Sequence, residues 1–204
     1  MSGATLLSAR GVSRRYGALF ALHPTDLDVH AGEAIALTGP NGAGKSTLLS
    51  ILAGSLVPSG GRVERTPSVD VGWAPQRPAQ YGKLSARENL ELFGRLERVA
   101  EPGAAAERLL AEFGLPLDGQ ASGTLSVGMR QRLNVAIALL GEPRVLLLDE
   151  PSASLDPEQR RRLWELASGL RAHGGALVFA TQNLEEVEWA DRVIRLDEGR
   201  VVAA

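Results

Sequence analysis

Apolar residues along this chain follow two spacings, and the points where one gives way to the other mark its elements. Near the start, Thr5–Arg10 and the stretch from about Ala18 to Val29 carry apolar residues broken by glycine and polar turns, the pattern of a mostly antiparallel sheet. AIALT at Ala34–Thr38 is a short continuous apolar run that predicts a strand. KSTLLSILAG follows a glycine-rich loop and predicts a helix with Leu48, Leu49, Ile51 and Leu52 on its buried side. The segment SLVPSGGRVERTPSVDVGWAPQ reads as turn residues, then a strand in which Val69, Val71 and Trp73 alternate with Asp70 and Gly72, ending at Pro75-Gln76.

From about Ser85 to Gly141 the pattern becomes helical. Ser85 and Glu88 form a capping box with Leu90, Leu92, Phe93 and Leu96 as apolar surface behind it. A second helix, about Ala104–Phe113, stops at Gly114 and Pro116, and a third opens at Ser126 with Leu133, Ile137 and Leu140 on one face. RVLLLDE at Arg144–Glu150 then resembles a fully buried parallel strand. Asp156-Pro157 starts a helix in the N-cap and N1 roles, and ALVFA at Ala176–Ala180 is the next buried strand. Asn183 with Glu186 caps a short helix, and RVIRLDEGRVVA is a hairpin turning at Asp197–Gly199.

The loop between the third strand and its helix changes the picture from architecture to chemistry. GPNGAGKST, from Gly39 to Thr47, matches G-x-x-x-x-G-K-[ST] at every required position. A polyphosphate wrapped by backbone N–H groups needs close approach without Cβ atoms and a helix N-terminus aimed at the anion. Gly39, Gly42 and Gly44 permit the wrap, with Pro40, Asn41, Ala43 and Thr47 completing the loop. Lys45 adds a charge that can reach the β- and γ-phosphates, and the Ser46 hydroxyl is placed to ligate Mg²⁺. The fold this implies is α/β: a P-loop NTPase core with a mainly parallel sheet, an N-terminal antiparallel β-subdomain and an inserted helical subdomain at about 81–141, in one domain spanning 1–204.

Composition narrows the partners. No cysteine is present, which excludes disulfides, thiolate catalysis and zinc–thiolate sites. The formal charge of −2 gives no reason to expect nucleic acid, and Arg160–Arg162 reads as a solvated helix surface. MSGATLLSAR lacks the apolar core of a secretory signal and no stretch approaches the length of a membrane span, so a cytoplasmic location is expected, with any membrane role coming through a partner. His23, His30 and His173 form no spaced cluster and read as surface or turn residues.

Asp149 and Glu150 stand at the C-terminal end of a predicted buried strand, the edge where open α/β sheets place ligands. Asp149 can hold Mg²⁺ through a water, and Glu150 is positioned to polarise a nucleophilic water for attack on a γ-phosphate. Gln76 can orient water or touch Mg²⁺, and Tyr16 offers a face on which a purine stacks. The combination predicts hydrolysis of ATP.

LSVGMRQRL at Leu125–Leu133, some twenty residues before RVLLLDEP, resembles the signature of the ATP-binding cassette (ABC) family, and the likeness extends over nearly the whole chain. Tyr16 matches the aromatic A-loop, Gly39–Thr47 the Walker A, Gln76 the Q-loop, Leu125–Met129 the signature, Val145–Glu150 the Walker B and Ser154-Leu155-Asp156 the D-loop. The resemblance implies a head-to-tail dimer, homotypic or heterotypic, in which Ser126 and Gly128 of one subunit complete the ATP site of the other. It also implies an ATPase subunit of an ABC transporter, peripheral on the inner face of the cell membrane through a separately encoded permease. ENLELFGRL resembles exporter ATPases. A slowly hydrolysing nucleotide-dependent clamp, or a soluble ABC ATPase not tied to transport, is the alternative. Three positions depart from the family pattern: Val127 and Met129 in the signature, and Gln182 where most members carry the switch histidine. A glutamine amide can still donate to a γ-phosphate but cannot carry a proton, which implies slower turnover or reliance on Glu150 alone.

Overall fold

The computed structural model describes residues 3–202, in which two sheets are built from different regions of the chain. The first is antiparallel, in the order β2-β1-β4, from β1 (Thr5–Tyr16), β2 (Leu19–His30) and β4 (Gly60–Arg65). β1 runs well past Arg10 because irregularities in its pairing with β2 absorb the glycine and polar residues that looked like a turn. Tyr16 therefore ends a strand, opposite Leu19, rather than sitting between strands. β4 lies in a segment expected to be turns. It is a largely exposed edge strand with Val63 its half-buried contribution, so it carries no alternation for a pattern to reveal.

The second sheet has the order β5-β6-β7-β3-β8-β9, with β3 (Ala34–Thr38), β5 (Val71–Ala74), β6 (Val145–Asp149), β7 (Ala176–Ala180), β8 (Arg192–Asp197) and β9 (Arg200–Val202). Its pairings are parallel except for the final β8–β9 hairpin. β6 and β7 are buried along their full length, as their unbroken apolar runs require of strands covered on both faces. Alternate side chains serve the two faces. Leu146, Leu148, Leu177 and Phe179 pack with Trp164, Leu133 and Leu90, whereas Val145, Leu147, Val178, Ile35 and Leu37 pack with Leu48, Leu49 and Leu52 and with the first sheet. The helix α1 (Lys45–Ala53) thus lies between the two sheets, with the predicted leucines and Ile51 buried.

The inserted helices are α2 (Ala86–Leu96), α3 (Pro102–Glu112) and α4 (Val127–Ala138). The capping box is present: Glu88 N donates to Ser85 Oγ at 3.2 Å and Ser85 N to the Glu88 carboxylate at 2.7 Å. Leu90 is buried and Phe93 half-buried, but Leu96 is exposed because the last turn of α2 faces solvent. α3 begins earlier than expected, since Pro102 occupies its first turn. Asn89, fully buried, receives a bond from Tyr81 N and donates to the carbonyls of Tyr81, Leu84 and Ser85 and to Ser122 Oγ. One side chain so ties the approach to α2 to the approach to α4; an unmet buried amide there would cost about 1–3 kcal/mol. Beyond β6, Asp156 caps α5 (Pro157–Ala172) by accepting from Gln159 N at 2.8 Å, and Trp164 packs against Phe179 with ring centroids 4.6 Å apart. The hairpin turns through Glu198 and Gly199, both left-handed, as the DEG sequence predicts.

Candidate active site

The loop between β3 and α1 has one available path. Gly39 has φ 134° and Gly44 φ 101°; a Cβ would lie 2.0 Å from the Leu196 carbonyl oxygen at the first and 2.8 Å from that of Ala21 at the second. Any other residue at either position would be both strained and in collision with backbone. The Lys45 side chain is buried beneath this loop, its Nζ donating to the carbonyls of Gly39 at 2.7 Å and Pro40 at 3.0 Å. Residues 41–47, with Ala21, Gln76 and Glu150, line a cleft of about 300 Å³ above the start of α1.

At the neighbouring edge, Asp149 ends β6 and is 2% exposed. Burial pushes its carboxyl above the ordinary carboxylate range, the charge of Glu150 adds to that push, and the Ser46 hydroxyl, Lys45 and the Gln76 backbone oppose it. Its Oδ1 has no hydrogen-bond partner. A buried carboxylate oxygen without a donor, beside a serine hydroxyl and a glutamine, is an oxygen-rich set that fits a hard divalent cation such as Mg²⁺.

Glu150 leaves the sheet in the left-handed region, φ 49°, held by its N–H donating to the Ala180 carbonyl at 3.0 Å. Both oxygens of its side chain are taken by amides: Gln76 Nε2 donates to Oε2 at 2.8 Å and Gln182 Nε2 to Oε1 at 2.6 Å. Gln182 Nε2 also donates to Asn41 Oδ1 at 2.9 Å. The sequence of this relay, Gln76, Glu150, Gln182, Asn41, is the lateral order β5-β6-β7-β3 of the strands that precede those residues. Parallel pairing sets their C-terminal ends side by side, so residues far apart in the chain meet.

Other expected site residues lie elsewhere. Tyr16 is 53% exposed, with the Arg14 guanidinium 4.5 Å over its ring, and does not line the cleft. Ser126 caps α4, accepting from Met129 N at 3.2 Å, and is exposed; neither it nor Gly128 lines the cleft. A Cβ on Gly128 would stand 2.8 Å from the Ser154 carbonyl oxygen, so this glycine is where α4 meets the loop before α5. The approach to the site from α4 is instead indirect: Asn134 donates to the Pro75 carbonyl at 2.7 Å, one residue before Gln76.

Two features escaped the sequence. The sequence places Asn41 in the loop, but its link to Gln182 depends on two strands meeting. The spacing in sequence predicts Glu186 as a capping partner of Asn183. In the structure Asn183 Oδ1 accepts from Glu185 N at 3.0 Å, while Glu186 turns inward from the short 3₁₀ helix Leu184–Trp189 to accept hydrogen bonds from Ser152 and Thr181. The spacing Asn-x-x-Glu signals a cap wherever local bonding decides, and here two buried hydroxyls compete for the acid.

A family profile described as ABC transporter matches residues 22–153. The daunorubicin resistance ATP-binding protein DrrA3 of Streptomyces coeruleorubidus is 38% identical over 213 residues, covering 98% of this chain and 67% of that protein. The probable multidrug ABC transporter ATP-binding protein YbhF of Escherichia coli is 36% identical over 97% of this chain, which spans only 37% of YbhF. Among solved structures, a dimeric ATP-binding cassette, MJ0796, in a post-hydrolysis state bound to ADP and Pi superposes with a TM-score of 0.88 at 25% identity over 97% of both chains.

Proposed function

The chain belongs to the ABC transporter family as an ATP-binding protein, and on that premise we propose that it hydrolyses ATP as one half of a dimer that drives an exporter through a separately encoded membrane permease. The observation that carries this reading is the hold on Glu150: a carboxylate at the rim of a phosphate-sized cleft, with both oxygens oriented by amides.

In this reading the backbone of residues 39–47 and the N-terminus of α1 bind the β- and γ-phosphates. Lys45, satisfied by two loop carbonyls, is the positive charge nearest them. Ser46, Asp149 and Gln76 would hold Mg²⁺, which would supply positive charge to offset that of the phosphate oxygens. Glu150 accepts the proton of the attacking water. Gln182 has its amide nitrogen committed to Glu150 and Asn41 and so orients the base without carrying a proton. Tyr16 stacks on the purine, and Ser126 and Gly128 meet the ATP of the second subunit, in a homotypic or a heterotypic dimer. No helix among the described residues is long and apolar enough to cross a membrane; the transporter names of the relatives support attachment to the inner face of the membrane through the permease. The names of the relatives, drug resistance and multidrug transport, support export.

The test is phosphate release from MgATP, with and without the membrane partner. Turnover that rises with the partner and vanishes in Glu150→Gln is expected; an unchanged rate in that variant would overturn the assignment of the base. A second reading, a clamp with little turnover, is favoured by Gln182 and Val127, and ATP-dependent dimerisation without phosphate release would select it.

A further inference from the structure

We propose that Glu186 is a positioning residue for hydrolysis: its buried carboxylate ties the loop after Glu150 to the strand end that carries Gln182, and so sets the geometry between base and amide. The inference rests on the reading of Glu150 and Gln182 given above.

Glu186 is 2% exposed, and Ser152 and Thr181 are similarly buried. Ser152 Oγ donates to Glu186 Oε1, and Thr181 Oγ1 donates to Oε2 at 2.6 Å. Ser152 lies two residues beyond Glu150, and Thr181 immediately precedes Gln182. One carboxylate therefore bridges the two chain segments whose side chains must meet at 2.6 Å. Each segment is also anchored from its backbone: Thr181 N donates to the Leu37 carbonyl at 3.1 Å, and Ala153 N to the Glu150 carbonyl at 3.4 Å, across the turn that keeps Glu150 left-handed.

Ordinary core packing does not account for this arrangement. The nearest cation, Arg160 on α5, has its Nε 3.8 Å from Glu186 Oε1, beyond hydrogen-bond distance, and that Nε has no hydrogen-bond partner. Glu186 is thus a buried acid whose direct hydrogen bonds come from two hydroxyls, a costly way to fill space. Hydroxyl-to-carboxylate bonds are short and directional, and they fix the relative position of two loops more tightly than apolar contact, which lets surfaces slide. Small displacements of a general base from its reaction partner have large kinetic effects.

The experiment compares the full-length protein with Glu186→Ala, Glu186→Gln, Ser152→Ala and Thr181→Val. It measures kcat and KM for MgATP, ATP affinity in a Glu150→Gln background, and Tm. Glu186→Ala is expected to lower kcat about 30-fold or more, and Ser152→Ala and Thr181→Val each about fivefold, while ATP affinity stays within about twofold. Glu186→Gln, which keeps an acceptor oxygen, recovers part of the lost kcat. The proposal is overturned if Thr181→Val and Ser152→Ala leave kcat unchanged, or if ATP affinity falls in step with kcat and Glu186→Gln recovers nothing. The two hydroxyl variants decide the matter even where Glu186→Ala does not fold. Wild-type turnover that is absent, or that survives Glu150→Gln, would instead count against the proposed function itself.

Discussion

Under the proposed function the phosphate loop and the start of α4 both meet phosphate at a helix N-terminus that carries glycine, yet they are braced differently. The first is enclosed from beneath: Gly39 and Gly44 press against the carbonyls of Leu196 and Ala21, Lys45 is buried under the loop and Asp149 beside it, while Asn41, Gly42 and Ser46 form an exposed rim. The second is open: Ser126 is exposed and Val127 is 57% exposed. A site that must work within one chain is preorganised by that chain, whereas a site shared with another chain is left on the surface until the other arrives. In the proposed function, capture of ATP belongs to the single chain and turnover to the closed pair.

The largest expected effect tests the enclosed half. Glu150→Gln should lower phosphate release by about 10³-fold while leaving ATP binding in place; loss of binding in equal measure would show that capture and chemistry are not separable there. Gly128→Ala tests the open half, because its Cβ must displace the Ser154 carbonyl. Turnover of the assembled protein should fall about tenfold with the ATP affinity of the isolated chain unchanged, and an equal fall in both would erase the distinction between the halves.

Gln182→His is expected to keep or raise the rate and to add a pH dependence near the ordinary histidine range, roughly pH 6–7, which the native glutamine does not supply. A flat profile in the variant would mean that this position has no contact with the reacting groups. The smallest effect is thermodynamic. Burial raises the folded-state pKa of Asp149 above its ordinary value of 3.8, so the unfolded chain loses that proton at lower pH. Folding is penalised as pH rises between the two values, and the penalty is complete above the folded one. Asp149→Asn should therefore raise the Tm of the nucleotide-free protein by a few degrees at pH 7.5, with the difference shrinking in acid. A lower Tm at neutral pH would show that the carboxylate is stabilised by its neighbours rather than strained by burial.

Elements whose signals are local were legible in the chain. Ala34–Thr38 and Ala176–Ala180 have the predicted bounds, Ser85 and Asp156 cap the helices they precede, and the hairpin turns at Glu198-Gly199. The misses share a cause. β4 has no apolar alternation because an edge strand needs its backbone pairing more than its side chains. Leu96 looks like core at helical spacing but lies where α2 has run past its neighbours. Glu186 has the spacing of a cap and becomes a bridge, because Ser152 and Thr181, in the segments that follow β6 and β7, reach it.

For the candidate site, residue identity and local backbone came from the chain itself: the glycines of residues 39–44, Lys45 and Ser46 after them, and the acids that end a continuously apolar strand are determined within short windows, since loop conformation and strand burial follow from neighbours in sequence. The order in which Gln76, Glu150, Gln182 and Asn41 join, the inward turn of Glu186 and the exposure of Ser126 were decided only by the tertiary structure. The first depends on which strands lie adjacent in a parallel sheet, a pairing that joins residues 32, 74 and 141 positions apart; the other two depend on which buried hydroxyls and neighbouring elements the packed chain brings to them.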